Sequence, residues 1–301
     1  MKKIGLTLGG GGARGIAHIE FLKILDKNNI VPSVISGTSI GALIGAFYAA
    51  GFSANEISAL IDEIDLNNMQ KKRDAFAPQK MSEIGKEIAE FVSDKFSEIK
   101  EFYCKIDEIK KMIDFSFLNF SSFLKGKGVE KYLQENLPVQ TFEDLEIPLK
   151  IVATDFWSGE KIVFDSGDLV PAIRASISIP AIFEPYIFQD RVLVDGGISD
   201  NLPFELIKDL CDFLIAIDVS GSRSILPDLQ IPNMFDSVIS SFEIMQSKMI
   251  EKNMQNSAPN IYVKPNLVDI GILDFHKVNE IMEDIQSDLQ KFDKQMKPLK
   301  I

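Results

Sequence analysis

Apolar residues near the start of the chain fall into short blocks whose spacing switches between two regimes. Ile4–Leu8 is a compact apolar run stopped by Gly9–Gly12, and it reads as a buried strand. Over residues 15–28, Ile16, Ile19, Leu22 and Leu25 recur at helical steps. Val34–Ser36 reads as a second strand. Ser39–Ala50 follows, rich in Ala, Leu and Ile, with Gly51 placed to end a helix. Ser53 with Glu56 forms a capping box that opens a third helix. Strands and helices alternating through tight glycine turns predict a parallel sheet covered by helices.

The regime changes between about Leu66 and Gly128, where no strand is evident. Ile84, Ile88, Phe91, Val92, Phe96, Ile99, Phe102, Ile106, Ile109 and Ile113 recur at three- and four-residue steps among dense Lys, Glu and Asp. This predicts a long amphipathic helix or helix pair, ending in Phe115, Phe117, Phe120 and Phe123. Strand patterns resume at Leu149–Thr154, Lys161–Phe164, Arg191–Val194 and Phe213–Val219, with a short helix over Gly167–Ala175. Phe213–Val219 is apolar without alternation, as expected inside a sheet. Outer helices are predicted over 233–255 and 275–297, with a strand at Asn260–Val263 between them. The expected architecture is a three-layer α/β/α unit with a mainly parallel central sheet and a helical insertion. Residues 4–219 are expected to form the catalytic domain, and residues 220–301 to complete it with C-terminal helices and a strand.

Composition narrows the function. The chain has 301 residues, 46% of them hydrophobic, which is enough for a large core, and a formal charge of −12. An acidic surface argues against nucleic acid as a partner and against loose adhesion to anionic lipid. Cys104 and Cys211 make neither a CxxC pair nor a metal set. The apolar run after Lys2 and Lys3 stops at Leu8, too short for a signal peptide, and no run approaches a membrane span. A cytoplasmic location, or one peripheral to a membrane, is the expectation.

The candidate chemistry sits in three glycine-rich places. Gly37-Thr38-Ser39-Ile40-Gly41 fits G-x-S-x-G between a predicted strand and a predicted helix, the context of a nucleophile elbow. The helix N-terminus would favour negative charge developing there. The same serine could serve only as a helix N-cap, and the context favours the nucleophile. Gly10-Gly11-Gly12-Ala13-Arg14-Gly15 matches G-x-G-x-x-G, but no acid follows at the end of the second strand to hold a ribose. It also lacks the Gly-Lys-Ser/Thr of a P-loop. Its better use is as an oxyanion hole of backbone N–H groups, with Arg14 bracing the loop or assisting with charge. The histidines, His18 and His276, read as packed or surface residues. Asp195 follows the strand Val192–Val194 and precedes Gly196-Gly197. It could meet Ser39 at the carboxyl edge of a doubly wound sheet and act as a base if burial raises its basicity.

These three elements, in this order, resemble the patatin-like phospholipase family, most of all its compact bacterial members. Thr141–Leu145, Ile147–Leu149, Ala153–Asp155, Ala172–Ser176, Ile179-Pro180 and Asn201–Pro203 carry the likeness across residues 4–219. The resemblance implies a Ser39–Asp195 dyad, with Gly10, Gly11 and Gly12 holding the oxyanion. Arg14, Gly15, Gly37, Gly41, Gly196 and Gly197 would support it, with no metal and no cofactor. It implies a lipid acyl hydrolase of phospholipase A or lysophospholipase type, acting on a lipid or acyl-ester substrate through an acyl-enzyme. A thioesterase or acyltransferase using the same pair, or a lipid-binding regulator without catalysis, are the competing readings. The apolar stripe and phenylalanines over about 84–124 have two readings: packing on the protein's own core, the commoner role of such helices, or a lid or transient contact with a membrane surface.

Overall fold

The computed structural model describes residues 2–63, 126–223, 231–232 and 234–299. The insertion expected at about 66–128, with its phenylalanine-rich end and the two readings of 84–124, lies outside these residues apart from its last three positions.

Among the described residues eight strands form one sheet: β1 (Ile4–Leu8), β2 (Val34–Thr38), β3 (Leu149–Asp155), β4 (Lys161–Phe164), β5 (Tyr186–Phe188), β6 (Arg191–Asp195), β7 (Phe213–Ile217) and β8 (Ile261–Val263). The order is β5-β6-β3-β2-β1-β7-β8, with β4 also pairing β3. From β3 through β8 the strands run parallel; β4, β5 and β6 add an antiparallel flank. The helices are α1 (Ala17–Lys27), α2 (Ile40–Ala49), α3 (Ala54–Glu63), α4 (Lys127–Asn136), α5 (Leu169–Ser176), α6 (Met234–Asn256), α7 (Val278–Asp284) and α8 (Gln286–Met296). The result is the three-layer α/β/α arrangement, a mainly parallel sheet between helices.

Local chemistry explains the element ends. Gly51 takes φ +94° after α2, a conformation that glycine adopts without strain. The capping box forms: Ser53 N–H donates to Glu56 Oε2 at 2.8 Å, and Glu56 N–H donates to Ser53 Oγ at 3.3 Å. Two elements carry too little pattern to be predicted. Helix α4 has Val129, Tyr132 and Leu133 as its apolar residues, behind Gly128 near its start, and β5 is three residues long.

The strands alternate between two cores, as period-two geometry requires. Ile215 and Ile217 of β7 join the large core with α1, α2, α7 and α8, while Leu214 and Ala216 face Leu202, Phe204, Ile207 and Ile250 of α6. The C-terminal elements share these cores: the Phe292 ring of α8 meets Phe21 of α1 edge-on at 5.3 Å. No helix among the described residues is long and apolar enough to cross a membrane.

After β6 the chain doubles back across the ends of its neighbours. Thr154 Oγ1 of β3 donates to Asp195 O at 3.0 Å, Thr38 Oγ1 of β2 to Asp200 O at 2.8 Å, and Ser36 Oγ to Pro203 O at 3.0 Å. Gly196 makes this crossing possible, because a Cβ there would stand 2.2 Å from Val152 O. Gly196→Ala should therefore destabilise the protein by about 2–4 kcal/mol through backbone displacement. Gly128→Ala, with nothing within 4 Å of its Cβ, should be neutral or stabilise by about 0.5 kcal/mol. Denaturant unfolding of the two variants checks the contrast.

Candidate active site

Ser39 occupies the single residue between β2 and α2 and has φ 55° and ψ −126°. For a residue with a Cβ this is strained backbone, and it persists only where the surroundings enforce it. The enforcement is visible on both sides. A Cβ at Gly37 would lie 2.7 Å from Gly41 O, and one at Gly41 would lie 2.2 Å from Leu8 O, so both positions exclude larger residues. The Ser39 N–H donates to the buried Ser176 Oγ of α5 at 2.8 Å. The hydroxyl thus projects at the N-terminus of α2, where the helix dipole favours negative charge.

Asp195 reaches the same point by a different route from the one expected. It does end a strand, but β6 is antiparallel to β3, so its carboxyl end is not at the carboxyl edge by a doubly wound rule. Register brings the two residues together instead. Thr38 of β2 is opposite Val152 of β3, and Ala153 of β3 is opposite Asp195. Since β4 takes the opposite edge of β3 at these residues, β2 and β6 lie end to end along one edge of β3, and Ser39 and Asp195 meet where the two strands abut. Asp195 Oδ1 accepts the Gly197 N–H at 2.7 Å. Its Oδ2 is buried without a well-formed hydrogen bond. Burial drives the carboxyl pKa up to about 7, opposed by the neighbouring Ser39 hydroxyl and the Gly197 N–H.

The glycine loop closes the third side. Gly10, Gly11 and Gly12 line a small, narrow cavity together with Ser39, Asp195, Asn201, Ile179, Phe242, Gln246 and Ile272. One of the three expected amide donors is already committed: Gly10 N–H donates to Asn201 O at 3.0 Å. Asn201 Nδ2 in turn donates to Gly10 O at 3.1 Å, so one asparagine clamps that residue from both ends. The N–H groups of Gly11 and Gly12 have no acceptor among the described residues. Gly12 takes φ +58°, and a Cβ there would meet Ile272 O at 2.2 Å. At Gly15 a Cβ would meet the Ile40 side chain at 2.3 Å, so this glycine lets the loop close on α2.

Of the two roles open to Arg14, the structure shows bracing. Its buried guanidinium donates to Gly11 O at 3.2 Å, Ile270 O at 3.2 Å and Glu243 Oε1 of α6 at 2.9 Å. His18 also holds the loop, with Nε2 2.8 Å from Gly9 O. Burial lowers its pKa to about 4, against the hydrogen bond to Gly9, so it is neutral at pH 7 and donates there through Nε2–H. His276 lies exposed before α7. Neither histidine lines the cavity.

Sequence reasoning missed Ser176, Asn201, Phe242 and Gln246. Ser176 and Asn201 lie in segments that carry the family likeness, but nothing local marks them as cavity or elbow residues. Phe242 and Gln246 are four apart on α6 and share a face, a spacing indistinguishable from ordinary packing. Among the described residues no group of His, Cys, Asp and Glu is arranged to hold a metal ion. A wider open groove lies between α6 and β8, lined by Glu251, Tyr262 and Lys264 among others. Its Tyr262 hydroxyl already donates to Asp218 Oδ2 at 2.6 Å.

A serine on a strained strand-to-helix turn, a buried carboxyl level with it and an amide-lined loop define an α/β protein of the nucleophile-elbow class. The chain belongs to the patatin-like phospholipase family, whose model matches residues 6–207. It is 29% identical over 223 residues to an uncharacterized NTE family protein of Mycobacterium tuberculosis, covering 74% of this chain and 50% of that one. It is 27% identical to the uncharacterized protein YqhO of Bacillus subtilis, covering 89% and 88% of the two chains. The lysophospholipase NTE1 of Saccharomyces cerevisiae is 24% identical, over 92% of this chain and 16% of that one. The match spans about half the length of the mycobacterial relative. Among solved structures, VipD of Legionella pneumophila shares the fold with a TM-score of 0.51 at 16% identity, covering 99% of this chain and 67% of that one.

The raised pKa of Asp195 links the site to stability. Between the ordinary aspartate value of 3.8 and about 7 the folded state holds a proton that the unfolded state releases. Unfolding free energy therefore falls as pH rises through that window. Asp195→Asn should match the wild type near pH 4 and exceed it above pH 7, by on the order of 2–4 kcal/mol. Thermal unfolding at pH 4.5 and pH 8 (about the ends of the linkage window) reads the sign.

Proposed function

We propose that the chain hydrolyses carboxylic esters of lipids, as a phospholipase A or lysophospholipase, through an acyl-enzyme on Ser39. The observation that carries this reading is the buried Asp195 carboxyl beside the Ser39 hydroxyl, with its pKa near 7 and one oxygen without a well-formed bond. A carboxylate of ordinary acidity would be a poor base for a serine hydroxyl, whereas one tuned toward neutrality can take that proton. Family membership supports the ester-hydrolase reading, and the likeness to a lysophospholipase supports lipid as the substrate class.

In the proposed reaction the Ser39 oxygen attacks the ester carbonyl carbon while its proton passes to Asp195. The negative charge that forms on the carbonyl oxygen lies against the Gly11 and Gly12 N–H groups and the N-terminus of α2. Collapse of the tetrahedral species breaks the ester C–O bond, and Asp195 returns the proton to the departing alcohol. A water then gives a proton to Asp195 and attacks the acyl-enzyme. Breaking the acyl–Ser39 bond frees the fatty acid, and the proton on Asp195 returns to the serine oxygen. Burial, strain and glycine placement fix the geometry before substrate arrives, so little reorganisation remains for the reaction itself.

Ser39→Ala should abolish turnover of phospholipid, lysophospholipid and p-nitrophenyl esters, and with it labelling by a fluorophosphonate. Asp195→Asn should cost about 10³-fold or more in kcat, since members of a catalytic unit fail together. The profile of kcat/KM should rise with pH along an acidic limb near pH 7, where Asp195 ionises. His18→Gln should keep that limb. If the limb moved with His18 rather than Asp195, or folded wild type took no fluorophosphonate, the reading would fall. Including acyl-thioesters in the panel separates a lipid esterase from a thioesterase built on the same pair.

A further inference from the structure

The chain's one tryptophan, Trp157, is 79% exposed, and Phe156 beside it is 52% exposed. Their rings meet edge-on with centroids 4.9 Å apart, so they form a single aromatic knob. The knob is pre-formed, because Asp155 Oδ1 accepts the N–H groups of Trp157 at 3.0 Å and Ser158 at 3.2 Å. Single exposed apolar residues are ordinary, so position decides whether this one matters.

The register supplies the position. Thr38 is opposite Val152, which places Ser39 level with Ala153. From there β3 continues in the same direction through Asp155 and turns at Phe156–Ser158. At about 3.3 Å per residue, the knob stands roughly 10–13 Å beyond Ser39, past the edge of the sheet that carries that hydroxyl. The β5–β6 hairpin rises to the same height. Phe156 N–H donates to Val192 O at 2.8 Å, and Val192 pairs with Ile187, which is 75% exposed. A second apolar strip reaches the cavity directly. Phe242 of α6 lines it, and Val238 and Met245, four residues before and three after, share its face and are exposed.

Charge selects the occupant. Arg191 is held by Asp155 at 3.3 Å and Glu160 at 3.5 Å, and Lys161 by Asp200 at 2.9 Å. In the two hairpin tips, Asp155, Glu160 and Asp190 outnumber Lys161 and Arg191. The basic groups of these tips are thus tied to acids, leaving none to draw in an anionic surface, while an aromatic knob with a polar indole N–H suits the boundary between water and acyl chains.

We propose that Phe156, Trp157 and Ile187 form an anchor that enters the surface of a zwitterionic lipid aggregate and turns the Ser39 cavity toward it. The inference rests on the lipid-ester reading of that cavity. Attachment is apolar, and it owes nothing to anionic headgroups.

A single tryptophan makes the test direct, since intrinsic indole emission reports position 157 alone. The full chain carrying Ser39→Ala is titrated with phosphatidylcholine vesicles, so that the lipid is not consumed. Emission should shift to the blue, phosphatidylcholine brominated on its acyl chain should quench it, and added salt should leave both unchanged. Phe156→Ser with Ile187→Ser should weaken vesicle binding by about tenfold or more. With Ser39 intact, the same pair should reduce vesicle hydrolysis far more than hydrolysis of a short soluble ester. Unshifted emission in the presence of vesicles overturns the anchor, and so does a shift confined to anionic vesicles. Emission already blue-shifted in buffer, with a dimer by light scattering, overturns it in favour of a second copy on this face. Insertion without hydrolysis of any ester would uphold the anchor and sink the esterase reading. Vesicle hydrolysis with a water-exposed tryptophan would do the reverse.

Discussion

A carboxyl group taken out of water with one backbone donor is the constraint on which the site depends. Asp195 has the Gly197 N–H on one oxygen and no well-formed bond on the other. Its charged form is therefore costly, and its proton is held up to about pH 7. The same burial that weakens it as an acid strengthens it as a base, and it does so beside a serine held in strained backbone. Were the carboxyl solvated, the two groups would be an ordinary turn aspartate and an ordinary helix cap.

The rest of the sheet edge is organised to leave that pair unrelieved while satisfying the groups around it. Hydroxyls from β2 and β3 take up carbonyls of the returning segment at Asp195, Asp200 and Pro203. Asn201 clamps Gly10, while Arg14 and His18 hold Gly11 and Gly9. Buried polar groups are normally paired, so the exceptions carry information. Asp195 lines one cavity with Asn201, whose Oδ1 is likewise unpaired, and with Gly11 and Gly12, whose N–H groups have no acceptor among the described residues. Two of the five buried side-chain atoms without a well-formed hydrogen bond among the described residues thus lie at the cavity where, under the proposed reaction, charge forms and moves; His18 Nδ1, Arg174 Nε and Ser220 Oγ lie elsewhere.

Much of this was legible in the sequence because glycine and alternation leave sharp marks. The strand Ile4–Leu8, the elbow around Ser39 and the capping box at Ser53 follow from local rules and occur where those rules put them. Position 195 was legible as a strand end, but not the direction of its strand, because antiparallel pairing is a tertiary choice that Arg191–Asp195 does not encode. The glycine loop was legible as a set of donors, but not the commitment of Gly10, because its acceptor lies 191 residues away on Asn201. Ser176, Phe242 and Gln246 were invisible for the same reason: each looks like ordinary helix composition until the fold places it. Arg14 could be narrowed only to two roles until its partners on Gly11, Ile270 and Glu243 were fixed.

The absence of a histidine from the cavity follows from the same physics. A histidine base needs a third group to fix its tautomer and stabilise its charge. The buried histidine near the loop, His18, has its Nε2 committed to Gly9 and its pKa lowered to about 4, so at neutral pH it is both occupied and too weakly basic. Asp195 needs no such partner. A carboxylate has no tautomer to choose, one backbone amide orients it, and burial, opposed by that amide and the Ser39 hydroxyl, raises its proton affinity. That simplification trades stability for basicity, because above about pH 7 the protein holds a buried charge with no cation beside it among the described residues. The two cores on either face of the sheet, joined across it by strands such as β7, are what make that tolerable. The proposed two-residue solution is then available to a fold stiff enough to bury a carboxyl and keep it against a hydroxyl at the end of the strand that abuts its own.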